Sequence, residues 1–391
     1  MYESKFKMFR NLCIVVISVI TLIAIIISSN KKKNEIINIG FSAQLTGRQA
    51  ELGVQERNGS QLAIEKANND GGINGHMLSL IVHDDLGISQ EAQNADKELI
   101  REGVVAIIGH ATTAQTLAGI AEANKAKVIM MGPTVSTPKL SGIDDYFFRI
   151  HPSFEKSSQN FAKYIFEIKG IKHIAVIFDK DNLAYSQTYS DIFSDKFKAL
   201  GGEVTNLLDF SSVAQPDFSK FISELQKSKA EGVLIVASDM DTALIAQRAR
   251  LMNWSNPMFS SPWAQTKTLI DKGGRAVEGM IIEQAYDLEN DSENFVEFKS
   301  KYRARFGNDP SFGAAYSYES TMVLIEAIKK SYGTNVSLKD ALLEIHDFKG
   351  LTDNLSFDKF GDVQRNSYLS SIKNGKFIRI AKLNTVESGG E

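Results

Sequence analysis

The stretch "IINIGFSAQLTGRQAELGVQERNGSQLAIEKANND", Ile36 to Asp70, decides the fold. It opens on a largely apolar run, "IINIGFSA" (Ile36–Ala43), the signature of a strand buried on both faces. It closes on "RNGSQLAIEKANND" (Arg57–Asp70), whose apolar residues fall at helical spacing. The loop between them, "LTGRQAELG" (Leu45–Gly53), is a strand-to-helix connection, where α/β proteins place function. It carries no His, no Cys, no nucleophile–base pair and no phosphate-binding fingerprint, so it reads as a wall and not as a catalyst.

The same alternation continues along the chain. Apolar runs at Met77–His83, Val104–Ile108, Lys127–Met131, Ile174–Phe178, Val233–Val236 and Gly279–Glu283 predict further strands. Amphipathic patterns at Gly53–Asn68, Gln90–Arg101, Gln115–Asn124, Phe154–Ile168, Tyr185–Leu200, Asp217–Lys229 and Asp241–Met252 predict helices between them. Repeated βαβ units imply an α/β fold with doubly wound parallel sheets. One series of units runs to Met131 and a second from His173 to Ser260, with "FFRIHPSFEKSS" (Phe147–Ser158) between them, so two lobes are expected. Open parallel sheets bind ligands beyond the carboxyl ends of their strands, and two facing sheets enclose a cleft.

The bulk numbers agree with an ordinary globular chain. It has 391 residues, 43% hydrophobic and 23% charged, which suits two domains. A net charge of −3 gives no nucleic-acid footprint, and no nucleic-acid partner is expected. The single cysteine, Cys13, excludes a disulfide framework and a thiolate metal site within one chain. No cofactor and no metal are expected. The N-terminus differs from the rest: basic "MYESKFKMFRN" precedes uncharged "LCIVVISVITLIAIII" (Leu12–Ile27), then "SSNKKK". Residues 1–33 are expected to act as a secretory signal or an uncleaved membrane anchor, since a small-x-small cleavage site is poor after Ser29.

From Leu45 to Asp85 the spacing "LTG…LG…NG..LA.E..N..GGI.G…DD" resembles the periplasmic substrate-binding proteins of the leucine/isoleucine/valine-binding type. The likeness continues through "IIGHATTAQTLAGIAEANKAKVIMMGP", "AVIFDKDNLAYSQ" and "GGRAVEGM", and spans about Ile36 to Ile380. The resemblance implies two α/β lobes joined by a three-crossing hinge, with a ligand in the cleft. Crossings are expected near His151, Glu283 and Asn354. Lobe 1 would comprise 36–151 and 284–354, and lobe 2 would comprise 152–283 and 355–382, with 383–391 a tail. "SYLSSIKNGKFIRI" (Ser367–Ile380) would return a strand pair to lobe 2.

The cleft chemistry follows partly from physics and partly from the resemblance. "GHATTAQT" (Gly109–Thr116) links an apolar strand to a helix whose first N–H groups lack intrahelical partners, a site suited to a carboxylate. Thr112 and Thr113 add hydroxyls, and the resemblance places the ligand carboxylate at Thr113. It also implies ligand contacts from Thr134 and Ser136 in "MMGPTVSTP", and from Tyr185 closing over the ligand. Ser238 and Asp239, at a strand-to-helix boundary, fit either an N-cap or a partner for a ligand ammonium. The sequence departs from the branched-chain binders after "PMFSS", where they place a Glu and this chain has "SPWAQT". Pro262 or Trp263 takes that place, giving apolar area and a π face in exchange for a carboxylate. Arg48 is a second departure, either a carboxylate fork or an exposed loop residue.

No catalytic residues are expected, because no HExxH, GxSxG, P-loop or GxGxxG occurs and the six histidines are dispersed. The expected function is capture of a small carboxylate-bearing solute at the outer face of the cytoplasmic membrane and its delivery to the permease of an ATP-driven (ABC) importer. The alternative is a ligand-binding sensory component acting on a separate signalling partner.

Overall fold

The computed structural model describes residues 16–21, 36–47, 49–284, 286–287 and 290–383. The expected signal or anchor at 1–33 lies outside the described residues apart from 16–21, as do Arg48 and the tail beyond Leu383. Among the described residues no helix is long and apolar enough to cross a membrane.

The first half of the chain lays down β1 (Ile37–Ala43), α1 (Ala50–Asn69), β2 (Leu78–Asp84), α2 (Ser89–Arg101), β3 (Ala106–Gly109), α3 (Thr113–Ala126), β4 (Ile129–Gly132) and β5 (Phe147–Arg149). These strands form one parallel sheet in the order β2-β1-β3-β4-β5. The chain continues with α4 (Glu155–Lys163), β6 (His173–Asp179), α5 (Leu183–Ala199), β7 (Glu203–Phe210), α6 (Ser219–Lys227), β8 (Gly232–Val236), α7 (Asp239–Leu251), β9 (Met258–Ser260), α8 (Lys267–Gly273) and β10 (Ile281–Gln284). Strands β7-β6-β8-β9-β10 repeat the order of the first sheet. Two antiparallel strands, β13 (Ser367–Lys373) and β14 (Lys376–Leu383), extend the second sheet beside β10, as the hairpin reading of "SYLSSIKNGKFIRI" implied. The inner strands are fully buried, Ala106–Gly109 and Gly232–Val236 along their whole length, which explains their unbroken Val/Ile character.

Between β10 and β13 the chain adds α9 (Glu293–Phe306), α10 (Phe312–Ser331), α11 (Leu338–Leu343) and the short pair β11 (Phe348–Lys349) and β12 (Asn354–Leu355), all but the pair's outer residues contributing to the first core. Helix α10 packs along α1 through small residues. Ser60 and Ser317 hydroxyls meet at 2.7 Å, and Thr321 Oγ1 donates to Ser60 Oγ at 2.9 Å. Gly59 permits the approach, since a Cβ there would stand 2.1 Å from the Ala314 carbonyl oxygen.

The chain passes between the two sheets after Arg149, between Gln284 and Tyr286, and between Val363 and Ser367. The last passage was expected near Asn354. β12 pairs with β11, and Leu355, Phe357 and Val363 pack in the first core, so the chain is held there until the sheet strand begins. Strands β5, β7 and β9 were not among the sequence-predicted runs. β7 is largely exposed or half-buried and has no unbroken apolar run, and β5 and β9 are only three residues long, too short to give a periodicity signal.

Candidate functional site

Both sheets switch direction between their first and third strands, at β1/β3 and at β6/β8, and the crevice beyond those carboxyl ends is the expected binding place. The two switch points face each other and touch. Gln49 Nε2, after β1, donates to Asp179 Oδ2 at 3.1 Å across the cleft. The Ala114 N–H, in the first turn of α3, donates to Asn182 Oδ1 at 3.2 Å.

Between these contacts lies a cavity that spans about 360 Å³ of space, part of it open to solvent. From the first sheet it is lined by Ala111, Thr112 and Thr113 after β3, Thr134 and Ser136 after β4, and His151 after β5. Leu52 of α1 and Phe312 of α10 close the same side. From the second sheet come Asn182, Tyr185, Pro262 and Trp263. The structure therefore brings together six of the residues singled out in the sequence: Thr112, Thr113, Thr134, Ser136, Tyr185 and Trp263. Among the described residues, no Asp, Glu, Lys or Arg lines the cavity.

Thr112 holds the N-cap position of α3 in extended conformation, but its hydroxyl donates to Gln115 Oε1 and does not cap the helix. Thr113 is the first helical residue and is buried. The positive end of α3 thus points into the cleft with neither threonine hydroxyl spent on capping. Opposite it, Tyr185 packs edge-on against Trp263 with ring centroids 5.7 Å apart and against Phe154 at 5.3 Å. Burial pushes the Tyr185 hydroxyl well above the usual phenol range, so it stays protonated. Trp263 sits in a 3-10 turn, Pro262–Ala264, that follows β9.

Of the two readings open for Ser238 and Asp239, the structure shows capping, and neither residue lines the cavity. Ser238 is the N-cap of α7 and accepts from the Asp241 N–H at 3.3 Å. The Asp239 carboxylate is engaged by Thr266 Oγ1 and by the Met240 N–H at 2.7 Å. Local capping and the turn before α8 take up both side chains. Arg48 lies outside the described residues.

Sequence reasoning missed Leu52, Ala111, Asn182, His151 and Phe312 as lining residues. His151 and Asn182 sit inside stretches already singled out, "FFRIHPSFEKSS" and "DNLAYSQ", but nothing local distinguishes them from linker and cap. His151 is buried, and burial pushes it down to about 4, so its ring is neutral at neutral pH. Its Nδ1 lies 2.9 Å from the Pro152 carbonyl oxygen, which only accepts. The proton is therefore on Nδ1, and Nε2 is an acceptor.

Behind the cleft floor lies a buried polar cluster. His110 Nδ1 is 2.7 Å from Asp85 Oδ2 and its Nε2 is 3.1 Å from Asp96 Oδ2. Burial opposes the imidazolium, but the two carboxylates outweigh it and push His110 up to about 10. Nearby, Thr134 Oγ1 lies 2.6 Å from Glu56 Oε1 and 2.8 Å from the Ala111 carbonyl oxygen. Burial is the main cause that pushes Glu56 up to about 8.

Two doubly wound α/β sheets with a mixed polar and aromatic cavity between their switch points define a two-lobed binding protein. The chain belongs to the periplasmic binding protein family, whose model matches residues 36–376. It is similar to the Leu/Ile/Val-binding protein homolog 1 of Brucella suis biovar 1, with 26% identity over 335 residues, 85% of this chain and 88% of that protein. It is also similar to the leucine-, isoleucine-, valine-, threonine- and alanine-binding protein of Pseudomonas aeruginosa, 24% identical over 84% of this chain and 87% of the relative. Among solved structures, the leucine-binding protein LivK of Thermotoga maritima superposes with a TM-score of 0.82 at 26% identity, covering 89% of this chain and 99% of that one.

Proposed function

We propose that the protein is an extracytoplasmic solute-binding component that captures a small carboxylate-bearing ligand, an amino acid or an amide or carboxylate analogue, by hinge closure. It then delivers the ligand to the permease of an ABC importer. The observation that carries this reading is the N-terminal turn of α3, which lines the cleft through Thr112 and Thr113. The neutral, partly aromatic second wall suits the apolar side chain of such a ligand. Relatives named for leucine, isoleucine and valine binding support the amino-acid class. Ligand bridging the lobes would shift the population toward the closed form. Lobe 1 comprises 36–151 and 284 to about 365, and lobe 2 the remainder to about 382, the later boundary being supported by the packing of Val363. The site is a binding site and not a catalytic one.

The test is a thermal-shift screen of the region from Ile36 onward against amino acids, amides and aromatic acids, followed by calorimetric titration. A ligand at a hundredfold excess over Kd raises stability by about 2.7 kcal/mol. No stabilisation by any of them would defeat the proposal, and turnover of a bound ligand would defeat its non-catalytic part. The location is the outer face of the cytoplasmic membrane, with residues 1–33 acting either as an uncleaved anchor or as a signal removed on export. Mass spectrometry of the mature N-terminus distinguishes an anchor from a cleaved signal, since a new terminus near Asn30 excludes the anchor.

A further inference from the structure

The amino-acid reading leaves a problem of charge. An α-ammonium group entering this cavity meets no lining carboxylate among the described residues. A hydrogen-bonded ammonium in a closed cleft without a counter-charge is costly. A buried carboxyl with one unpartnered oxygen lies one layer behind the wall. Glu56 is one helical turn from Leu52 on the same face of α1, and Leu52 lines the cavity. Glu56 Oε1 contacts Thr134, which also lines it. Glu56 Oε2 is buried without a hydrogen-bond partner.

The geometry also accommodates a protonated Glu56. Thr134 has one hydroxyl proton and two close oxygen neighbours. The Ala111 carbonyl accepts and cannot donate. If Thr134 donates to Ala111, the 2.6 Å contact with Glu56 is satisfied only by a carboxylic acid O–H donating to Thr134. Burial acts in the same direction. The charged groups acting on Glu56 are Asp85 and His110, and they are locked to each other, with Asp96 completing the His110 bracket.

We infer that Glu56 is the proton-releasing counter-ion of this site: neutral when the cleft holds no cation, and ionised when an ammonium group docks at the floor formed by Thr134 and Ala111. The assignment rests on the amino-acid reading of the cleft. On binding, the Glu56 O–H bond breaks, its electron pair stays on the carboxylate, and the proton leaves to solvent. Thr134 then turns its hydroxyl toward Glu56, and both its oxygen lone pairs and the Ala111 carbonyl are available to ammonium N–H donors. Glu56 acts through Thr134, so it is a positioning residue that selects for ligands bearing a donor cation. A carboxylate-only ligand gains nothing from it.

The experiment is calorimetric titration at pH 7 in buffers of different ionisation enthalpy, with L-leucine and its des-amino analogue 4-methylpentanoate as probes. The protein is wild type and Glu56→Gln, with thermal melting to confirm that the variant folds. Leucine binding to wild type should release about one proton, and 4-methylpentanoate should release none through Glu56. E56Q should abolish the release and weaken leucine about tenfold or more, with little change for 4-methylpentanoate. The difference between wild type and E56Q is the quantity that counts, because it isolates the proton of Glu56 from any other group. Leucine binding with no proton release, or equal release by both probes, would overturn the assignment. Infrared difference spectra of wild type against E56Q at pH 7 supply an arm that needs no ligand: a missing carboxylic-acid carbonyl band overturns it as well. No heat from leucine or any other amino acid would instead defeat the proposed function, and this assignment with it.

Discussion

Thr113 illustrates how much a single position can carry. It is the first residue of α3, buried in the cavity wall, with backbone and hydroxyl both available to an anion. Thr113→Val keeps the shape and removes only the hydroxyl. A hydrogen bond to a charged group contributes roughly 1.5–3 kcal/mol, so affinity for a carboxylate ligand should drop about ten- to a hundredfold by calorimetric titration. Melting should be nearly unchanged, because the Thr113 hydroxyl caps nothing. Unchanged affinity would place the carboxylate elsewhere in the cleft. Two other buried residues make a pH prediction. Glu56 is raised from 4.5 to about 8 and His110 from 6.5 to about 10. Each holds more protons folded than unfolded between its two values, so each makes stability fall as pH rises. The Glu56 contribution is gone by about pH 8, and that of His110 is lost through pH 10. The melting temperature should therefore decline from pH 7 to 9.5, and E56Q should decline less steeply over the lower part of that range. A melting temperature that rises over this range contradicts both assignments.

At the scale of elements, the contact between α1 and α10 is the one most dependent on small residues. Gly59, Ser60, Ala314 and Ser317 let the helix backbones approach closely. Gly59→Ala puts a methyl group 2.1 Å from a carbonyl oxygen that belongs to α10, so the helices must separate. Overpacking of this kind costs about 1–3 kcal/mol, outweighing the roughly 1 kcal/mol of helix propensity that Ala gains over Gly. Urea unfolding should show a lower midpoint for the variant. A higher midpoint would mean that α10 shifts at no cost. Helix α10 carries Phe312 into the cleft at its first residue, so looser packing here should also weaken ligand binding.

The whole molecule adds what neither residue nor element possesses, namely contact across the cleft. Gln49 Nε2 reaches Asp179 Oδ2 at 3.1 Å and Asp241 Oδ2 at 3.5 Å, tying the loop after β1 to the second sheet. Burial pushes Asp179 up to about 6, so at neutral pH it is a carboxylate accepting from the amide. Gln49→Ala removes a hydrogen bond to a charged group, worth roughly 1.5–3 kcal/mol. If the lobes move about a hinge, the ligand-free population should shift about tenfold or more toward open forms. Small-angle scattering would then give a larger radius of gyration for the variant without ligand and an equal one at saturation. Identical ligand-free radii would show that this contact does not restrain closure.

The sequence by itself determined the repeated βαβ alternation, because strands buried on both faces must be unbroken Val, Ile and Leu. It also determined the location of the anion-ready helix start in "GHATTAQT", because a loop between an apolar strand and a helix can only present N–H groups there. Six cleft residues were legible from those stretches and from the likeness of their spacing to a known family. The tertiary structure alone decided the rest. Ser238 and Asp239 fit either a cap or a ligand partner in the sequence, and in the structure a cap and Thr266 engage them. His151, Asn182 and Phe312 come from distant segments and meet only when two sheets face each other. The protonation of Glu56 is not written in its own neighbourhood along the chain. The neutral form proposed for it rests on burial and on one hydroxyl, Thr134, placed 78 residues away, which has a single proton and two oxygen neighbours.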